Sequence, residues 1–284
     1  MRADLEKKVQ RAIRLLQAIP SDDIELAFSG GKDSSVVLKL AQMAGIKFTP
    51  IYKNTTIDPS GNIAFCKSMG CTITPPHKSF FELIQERGFP TRRARFCCEV
   101  LKEYKIKDYV ILGVRKAESV ARNKRYHEPE ICRVYGNKGK KKADGSNYCK
   151  QYLPIVNWTD EDVKDFIEEY NVQVNPLYYV DGKFDVTKRL GCMCCPLQGN
   201  TKLQADFLAN PRMVKLYIKN GLVWWNKERK NEISSKKNFG TIYDLFFHNV
   251  FCTSYAEYLE KKYTLFDELD CKKFLEDFFK VELD

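Results

Sequence analysis

Apolar residues recur at helical spacing through the first seventeen positions, where Leu5, Val9, Ile13 and Leu16 share one face of an otherwise charged segment. This predicts an amphipathic N-terminal helix, and its charge sets it apart from a secretory signal. The period then changes. Ile24-Glu25-Leu26-Ala27-Phe28 is a short apolar run ending in Gly-Gly, and Ser34 to Ala44 returns to helical spacing through Val36, Val37, Leu40 and Ala41. Strand, loop and helix are predicted in that order. Further strands are expected at Phe48–Tyr52, Thr72–Thr74 and Tyr109–Leu112, with helices at Asn62–Met69 and Phe80–Arg87 between them. The alternation predicts an α/β fold with a parallel sheet. Right-handed crossovers gather the strand ends along one edge, where ligands bind such sheets.

Past Lys150 the pattern alters. Leu153-Pro154-Ile155-Val156 leads to Thr159, a predicted N-cap, and acidic residues 160–162 open a helix that runs to about Tyr170. Beyond Gly199 the spacing is mostly helical and rich in aromatics, among them Trp224, Trp225, Phe239, Tyr243, Phe246 and Phe247. These predict a packed core or a subunit contact, as in a homodimer, rather than base stacking. The expected organisation is an N-terminal helix over 1–23, a nucleotide-binding domain over 24–200 that carries the clustered cysteines, and a small helical C-terminal appendage over 201–284.

A chain of 284 residues can bury one substantial core and add a smaller unit. No apolar run approaches the roughly 20 residues that cross a bilayer, and a cytoplasmic protein is expected. In that compartment the eleven cysteines are better suited to metal or redox chemistry than to disulfides. Cys66, Cys71, Cys252 and Cys271 stand apart from the clusters and read as buried structural thiols. The net charge of +10 suits a polyanionic partner such as RNA. The run Lys138-Gly139-Lys140-Lys141-Lys142 reads equally as a solvated turn or an RNA contact.

The loop Ser29-Gly30-Gly31-Lys32-Asp33-Ser34 lies between a predicted strand and helix, where backbone amides and the positive helix end can receive phosphate oxygens. Lys32 can neutralise phosphate charge, and Ser29 and Ser34 can donate hydroxyls. Asp33 can orient the loop or hold Mg2+. Arg115 and Arg122, following a strand at the ligand edge, can clamp a phosphate or sulfate, or pair with Glu118. A second constellation is made of thiols: Cys97-Cys98 and, after 93 intervening residues, Cys192-Met193-Cys194-Cys195. Four thiolates suit a [4Fe-4S] cluster or a tetrahedral zinc. Arg92, Arg93 and Arg95 can offset thiolate charge there. Cys132 and Cys149, either side of the basic run, offer a separate and weaker metal pair.

The hexapeptide SGGKDS resembles the signature of PP-loop ATP pyrophosphatases and differs from the Walker loop. Leu112-Gly113-Val114-Arg115 with Glu118-Ser119 and Arg122 resembles an element of the phosphoadenosine phosphosulfate (PAPS) reductase family. Pro154–Trp158, Asn175-Pro176-Leu177-Tyr178 and Leu190–Pro196 match that family in the same order, so the resemblance spans about Ile24 to Gly199.

The resemblance implies an adenine nucleotide alpha hydrolase-like sheet with ATP or a related nucleotide across the loop, bound through residues 29–34, Gly113, Arg115 and Arg122. It places the segment holding Thr55 and Asp58 against adenosine, and it selects iron and sulfur for Cys97, Cys98, Cys192 and Cys195. Lys32, Asp33, Arg115 and the spare thiol Cys194 are the catalytic candidates, Cys194 being a sulfur carrier, a second-choice ligand or a packed residue. The intact loop, and the lack of a C-terminal Glu-Cys-Gly-x-His motif, imply ATP cleavage with adenylation of an acceptor and sulfur transfer. The partners implied are an RNA acceptor and a reductant or sulfur-donor protein. PAPS or adenosine phosphosulfate reduction through Cys194 or Cys271 is the rival enzyme activity, and a nucleotide-binding subunit without turnover is the other class.

Overall fold

The computed structural model describes residues 3–135, 142–228, 238–264 and 267–283. Six strands, β1 (Ile24–Ala27), β2 (Thr49–Lys53), β3 (Thr72–Thr74), β4 (Tyr109–Leu112), β5 (Glu130–Val134) and β6 (Tyr148–Tyr152), form one sheet in the order β3-β2-β1-β4-β6-β5. Every neighbouring pair is parallel except β5–β6, which is antiparallel. The helices are α1 (Ala3–Gln17), α2 (Lys32–Met43), α3 (Asn62–Ser68), α4 (Phe80–Arg87), α5 (Phe96–Leu101), α6 (Val120–Arg125), α7 (Asp160–Glu169), α8 (Asn200–Ala209), α9 (Pro211–Glu228), α10 (Ile242–Phe251), α11 (Tyr255–Lys262) and α12 (Cys271–Phe279). None is long and apolar enough to cross a membrane among the described residues.

The chain forms two compact units. The first comprises Met1–Asn54, Asp58–Pro76 and Lys102–Gly191 and contains the sheet. Strand parity divides the sheet's faces, because successive side chains point to opposite sides. Ile24, Leu26, Ile111 and Tyr152 join a core with Leu5, Val9 and Leu16 of α1, Val36 and Leu40 of α2, and Val163 and Phe166 of α7. Each such fully buried aliphatic side chain contributes about 2 kcal/mol. Thr159 caps α7 as expected: its hydroxyl accepts from the Asp162 amide at 3.1 Å while the Asp162 carboxylate accepts from the Thr159 amide at 2.8 Å.

The second unit comprises Thr55–Ile57, His77–Leu101 and Cys192–Asp284. Its core is aromatic, with Phe80, Phe207, Tyr217, Phe246 and Phe279 all buried and in ring contact along the series. A helical C-terminal region is present, but the expected boundary at residue 200 is not where the units divide. Phe80, Leu83, Ile84 and Leu101 bury into the helical core, so α4 and α5 join it, whereas α1 belongs to the sheet unit.

Most strands and helices of the sheet unit lie within a residue or two of expectation. The β5–β6 hairpin was not anticipated, since Glu130, Arg133 and Lys150 interrupt any apolar alternation, and Leu153–Val156 forms turns. Of the basic run, residues 138–141 lie outside the described residues. Cys132 pairs with Lys150 and Cys149 with Arg133 on adjacent rungs, which puts the two thiols on opposite faces of the hairpin. That removes them as a joint metal pair.

Candidate nucleotide and thiol sites

In the first unit the loop from Ser29 to Ser34 joins β1 to α2. Gly30 has φ +75°, and a Cβ there would lie 2.1 Å from Asn62 Oδ1, so glycine is required on both counts. Gly31 is the N-cap of α2 and no side chain caps it, which leaves the helix end to a ligand. The serines close the loop on itself: the Ser29 amide donates to Ser34 Oγ at 3.3 Å, and Ser34 Oγ donates to the Gly31 carbonyl at 2.7 Å. Gly113 ends β4 so close to the loop that a Cβ would meet the Asp33 carbonyl carbon and oxygen at 3.0 Å.

A brace of buried amides supports the loop from behind. Asn175 Nδ2 donates to Asn62 Oδ1 at 2.9 Å, and Asn62 Nδ2 donates to Tyr52 Oη at 3.1 Å and to the Ser29 carbonyl at 3.4 Å. Tyr178 lies on the other side, where its hydroxyl accepts from the Lys32 and Leu190 amides while burial pushes its phenol up. Lys32 is 3% exposed; its Nζ donates to the Lys188 carbonyl at 3.2 Å and lies 3.4 Å from Asp33 Oδ2.

A cavity of about 510 Å³ opens from the loop, a size that accommodates a nucleotide. Ser29, Gly31, Lys32, Asp33, Ser34, Asp58, Gly113 and Arg122 line it, as do Arg125, Tyr126, Tyr178 and Arg189. Arg115 is placed differently from expectation. It is 1% exposed, and its Nε donates to Asp33 Oδ1 at 2.5 Å while an Nη donates to Asp160 Oδ1 at 2.7 Å. Both N–H arms are committed to carboxylates, so Arg115 holds the loop instead of clamping a ligand. The same contact engages Asp33 Oδ1, so Asp33 orients the loop through Arg115 while still lining the cavity. Arg122 does face the cavity and pairs with Glu118. Burial lowers its basicity first, and neighbouring Arg189 and Arg115 lower it further. A guanidinium held in that surplus of positive charge suits an anion.

The second unit gathers the clustered thiols. The Cys97 thiol is pushed up by its hydrogen bond to Cys98, by burial and by the charges of Cys98 and Cys195. Arg95 donates to Cys98 Sγ at 3.9 Å, so one of the three preceding arginines reaches a thiol. Tyr217 of α9 is wholly buried beside Cys194, Cys195, Cys97 and Cys192, and its hydroxyl donates to the Cys194 carbonyl at 2.9 Å. No three described His, Cys, Asp or Glu side chains converge closely enough to grip a single ion. Thr55, expected at the adenosine, is in this unit instead, 1% exposed with its hydroxyl 3.5 Å from Cys192 Sγ. Cys194 is 0% exposed at φ +48°, and burial pushes its thiol up to about 12.

Sequence reasoning missed Tyr217, which reads as one more core aromatic, and Arg189, which follows no motif. Asn62 was masked as an ordinary helix-starting residue. Tyr178 lay within a motif already singled out.

A parallel sheet with this glycine-rich loop at the carboxyl end of its first strand defines a nucleotide-binding α/β protein of the PP-loop type. The chain belongs to the family of the phosphoadenosine phosphosulfate reductase domain, whose family model matches residues 23–198, more than half of its length. Family membership supports binding of an adenine nucleotide. Among curated proteins, it is 32% identical over 208 residues to the uncharacterized protein MJ0973 of Methanocaldococcus jannaschii, covering 68% of this chain and 44% of that protein. It is also 30% identical over 156 residues to an uncharacterized 37.8 kDa protein of Escherichia phage 186, covering 50% of this chain and 42% of the relative. The chain spans less than half the length of these relatives. Among solved structures it is similar to the U34-tRNA thiolase NcsA from Methanococcus maripaludis with its [4Fe-4S] cluster, at 14% identity and TM-score 0.44, covering 93% of this chain and 90% of that one. An NH3-dependent NAD synthetase from Campylobacter jejuni is similar at 15% identity and TM-score 0.42, covering 84% and 98%. Likeness at these scores carries no weight on activity.

Proposed function

We propose that the chain cleaves ATP between its α- and β-phosphates, adenylating an acceptor and releasing pyrophosphate, in the service of sulfur transfer. The observation that carries this reading is the intact loop: a turn at Gly30 with φ +75° leads to the uncapped α2 N-terminus at Gly31 and the buried Lys32, both of which line a nucleotide-sized cavity. In this mechanism an acceptor oxygen attacks the α-phosphorus, the bond to the bridging oxygen breaks, and the electron pair leaves with pyrophosphate. Lys32, Arg122 and the loop amides stabilise the departing charge. Arg115 keeps Asp33 and the loop in register. Mg2+ enters with the nucleotide's own phosphates.

Cys97, Cys98, Cys192 and Cys195 are the residues that would hold a [4Fe-4S] cluster. The donors are all thiols, the ligand type that iron-sulfur clusters take. When bound, the cluster supplies a site for handling sulfur. RNA is the acceptor class that the net charge of +10 favours.

The family's description also names PAPS reduction, which requires a thiolate that attacks sulfur. Cys194 and Cys271 are both buried, and burial pushes each thiol up to about 12, so neither is set up as that nucleophile. The deciding experiment supplies ATP, Mg2+ and a total tRNA pool in one arm, and PAPS with thioredoxin in the other. AMP and pyrophosphate are expected in the first and no sulfite in the second. Robust sulfite formation, lost in Cys194→Ser or Cys271→Ser, overturns the reading in favour of the reductase.

A further inference from the structure

One face of the sheet lacks the apolar layer that covers the other. Glu25, Val110 and Gln151 lie side by side in register on β1, β4 and β6, and all three line the cavity below the phosphate loop. Glu25 is 0% exposed, and apart from an ion pair from Lys53 Nζ to Oε1 at 3.0 Å its carboxylate oxygens have no hydrogen-bond partner among the described residues. The same ammonium, which has three N–H donors, also donates to the Tyr104 carbonyl at 2.7 Å. The other polar neighbours are also engaged elsewhere. Gln151 Nε2 donates to Tyr135 Oη at 3.1 Å, and Arg133 donates to Glu103 at 2.8 Å.

A buried carboxylate with most of its lone pairs unmet is costly, and such groups call for a specific explanation. Here the group forms part of a cavity wall, and two oxygens in one plane match two adjacent N–H donors. Basic side chains outnumber acidic ones along that wall, which disfavours a cationic amidine or guanidine. Adenine is a poor match too, since its amino group sits beside an acceptor nitrogen and would set one oxygen against a lone pair. Glu25 precedes Ser29 by four positions, about 13 Å along an extended strand, so it is out of reach of a phosphate held in the loop.

We propose that Glu25 reads an acceptor subsite for a neutral heterocycle carrying a ring N–H beside an exocyclic amino group, the edge shared by guanine and pterins. The assignment rests on the nucleotide reading of the loop only for the role of the bound heterocycle as acceptor. Lys53 offsets the carboxylate charge while the subsite is empty, and its long side chain yields one oxygen to the ligand.

Calorimetric titration of the full chain with guanosine and with pterin, each with and without saturating ATP and Mg2+, tests this. Inosine, which lacks the amino group, and adenosine serve as controls. Guanosine, pterin or both should bind at least tenfold more tightly than inosine, and the arm that binds better names the source. ATP should leave that affinity within about threefold. Glu25→Gln should weaken binding tenfold or more while leaving ATP affinity unchanged, and Lys32→Ala should do the reverse. Glu25→Gln/Lys53→Met removes both charges together and gives the same readout should the single variant fold poorly. The proposal is overturned if neither heterocycle binds, if ATP competes with it, or if Glu25→Gln weakens ATP instead. Failure of ATP to bind the wild type would sink the loop assignment alone, because the guanosine and pterin arms are read without it.

Discussion

The two units build their sites by opposite means. In the sheet unit the loop is shaped by backbone, by a glycine at φ +75° and by serines hydrogen-bonded to main-chain atoms, with Arg115 and two asparagines behind it. In the helical unit the thiols are carried on short segments set into an aromatic core, and Tyr217 reaches them from α9. The first kind of site exists before its ligand arrives, because amides and glycines need no rearrangement. The second is a set of soft donors whose final spacing is fixed by what they bind.

Gly30→Ala is expected to have the largest effect, since an added Cβ would drive into Asn62 at a backbone angle that alanine resists. ATP affinity should fall at least 100-fold by calorimetry, while iron content stays unchanged. Equal loss from both sites would erase the contrast between the units. Replacing Cys97 or Cys195 by serine should do the converse. Iron should drop from about four per chain to a minor fraction after anaerobic reconstitution, with ATP affinity intact. Stoichiometric zinc with no iron in the wild type would instead indicate a zinc site.

Arg115→Ala should destabilise the sheet unit by about 3 kcal/mol in urea melts, because removing one member of a buried ion pair strands the others. Arg115→Lys should not restore that stability, as an ammonium cannot span Asp33 and Asp160 with a planar fork. Tyr217→Phe removes a single hydrogen bond to the Cys194 carbonyl and should cost about 1 kcal/mol, read in the same melts.

The smallest expected effect is a drift with pH that touches both units. Burial pushes the thiols of Cys66 and Cys71 in one unit, and of Cys271 in the other, up to about 12. A group whose folded pKa is raised stabilises the fold fully below its unfolded value and loses that contribution as pH rises toward the folded one. Melting temperature under reductant should therefore be level to about pH 9, the ordinary thiol value, and decline above it. Alanine at these three positions should flatten the decline; a fall that persists in the triple variant would assign it elsewhere.

The phosphate loop and the parallel sheet were legible because their signals are local: a period change, a Gly-Gly turn and a helical face within twenty residues of one another. The roles of Arg115 and Thr55 were not legible, for a shared reason. Arg115 meets Asp33 and Asp160, and Thr55 meets Cys192, partners 45 to 137 positions away that no periodicity encodes. Glu25 is the reverse case. In sequence it is an ordinary polar residue within a strand, and only the register of β1 with β4 and β6 turns it into part of a cavity wall.

The interleaving of the two units along the chain also sets a timetable for synthesis on the ribosome. The segment His77–Leu101 emerges early but belongs to a core whose remaining residues begin at Cys192. At 5–20 residues per second, the nascent thiols of Cys97 and Cys98 wait about 5 to 20 s for Cys192 to be made, and longer for the aromatic helices that bury them. During that interval the sheet unit can nearly complete itself, and the paired cysteines depend on cellular reductants to stay intact. Maturation of the thiol site thereby waits until Cys192 and the helices after it have been made.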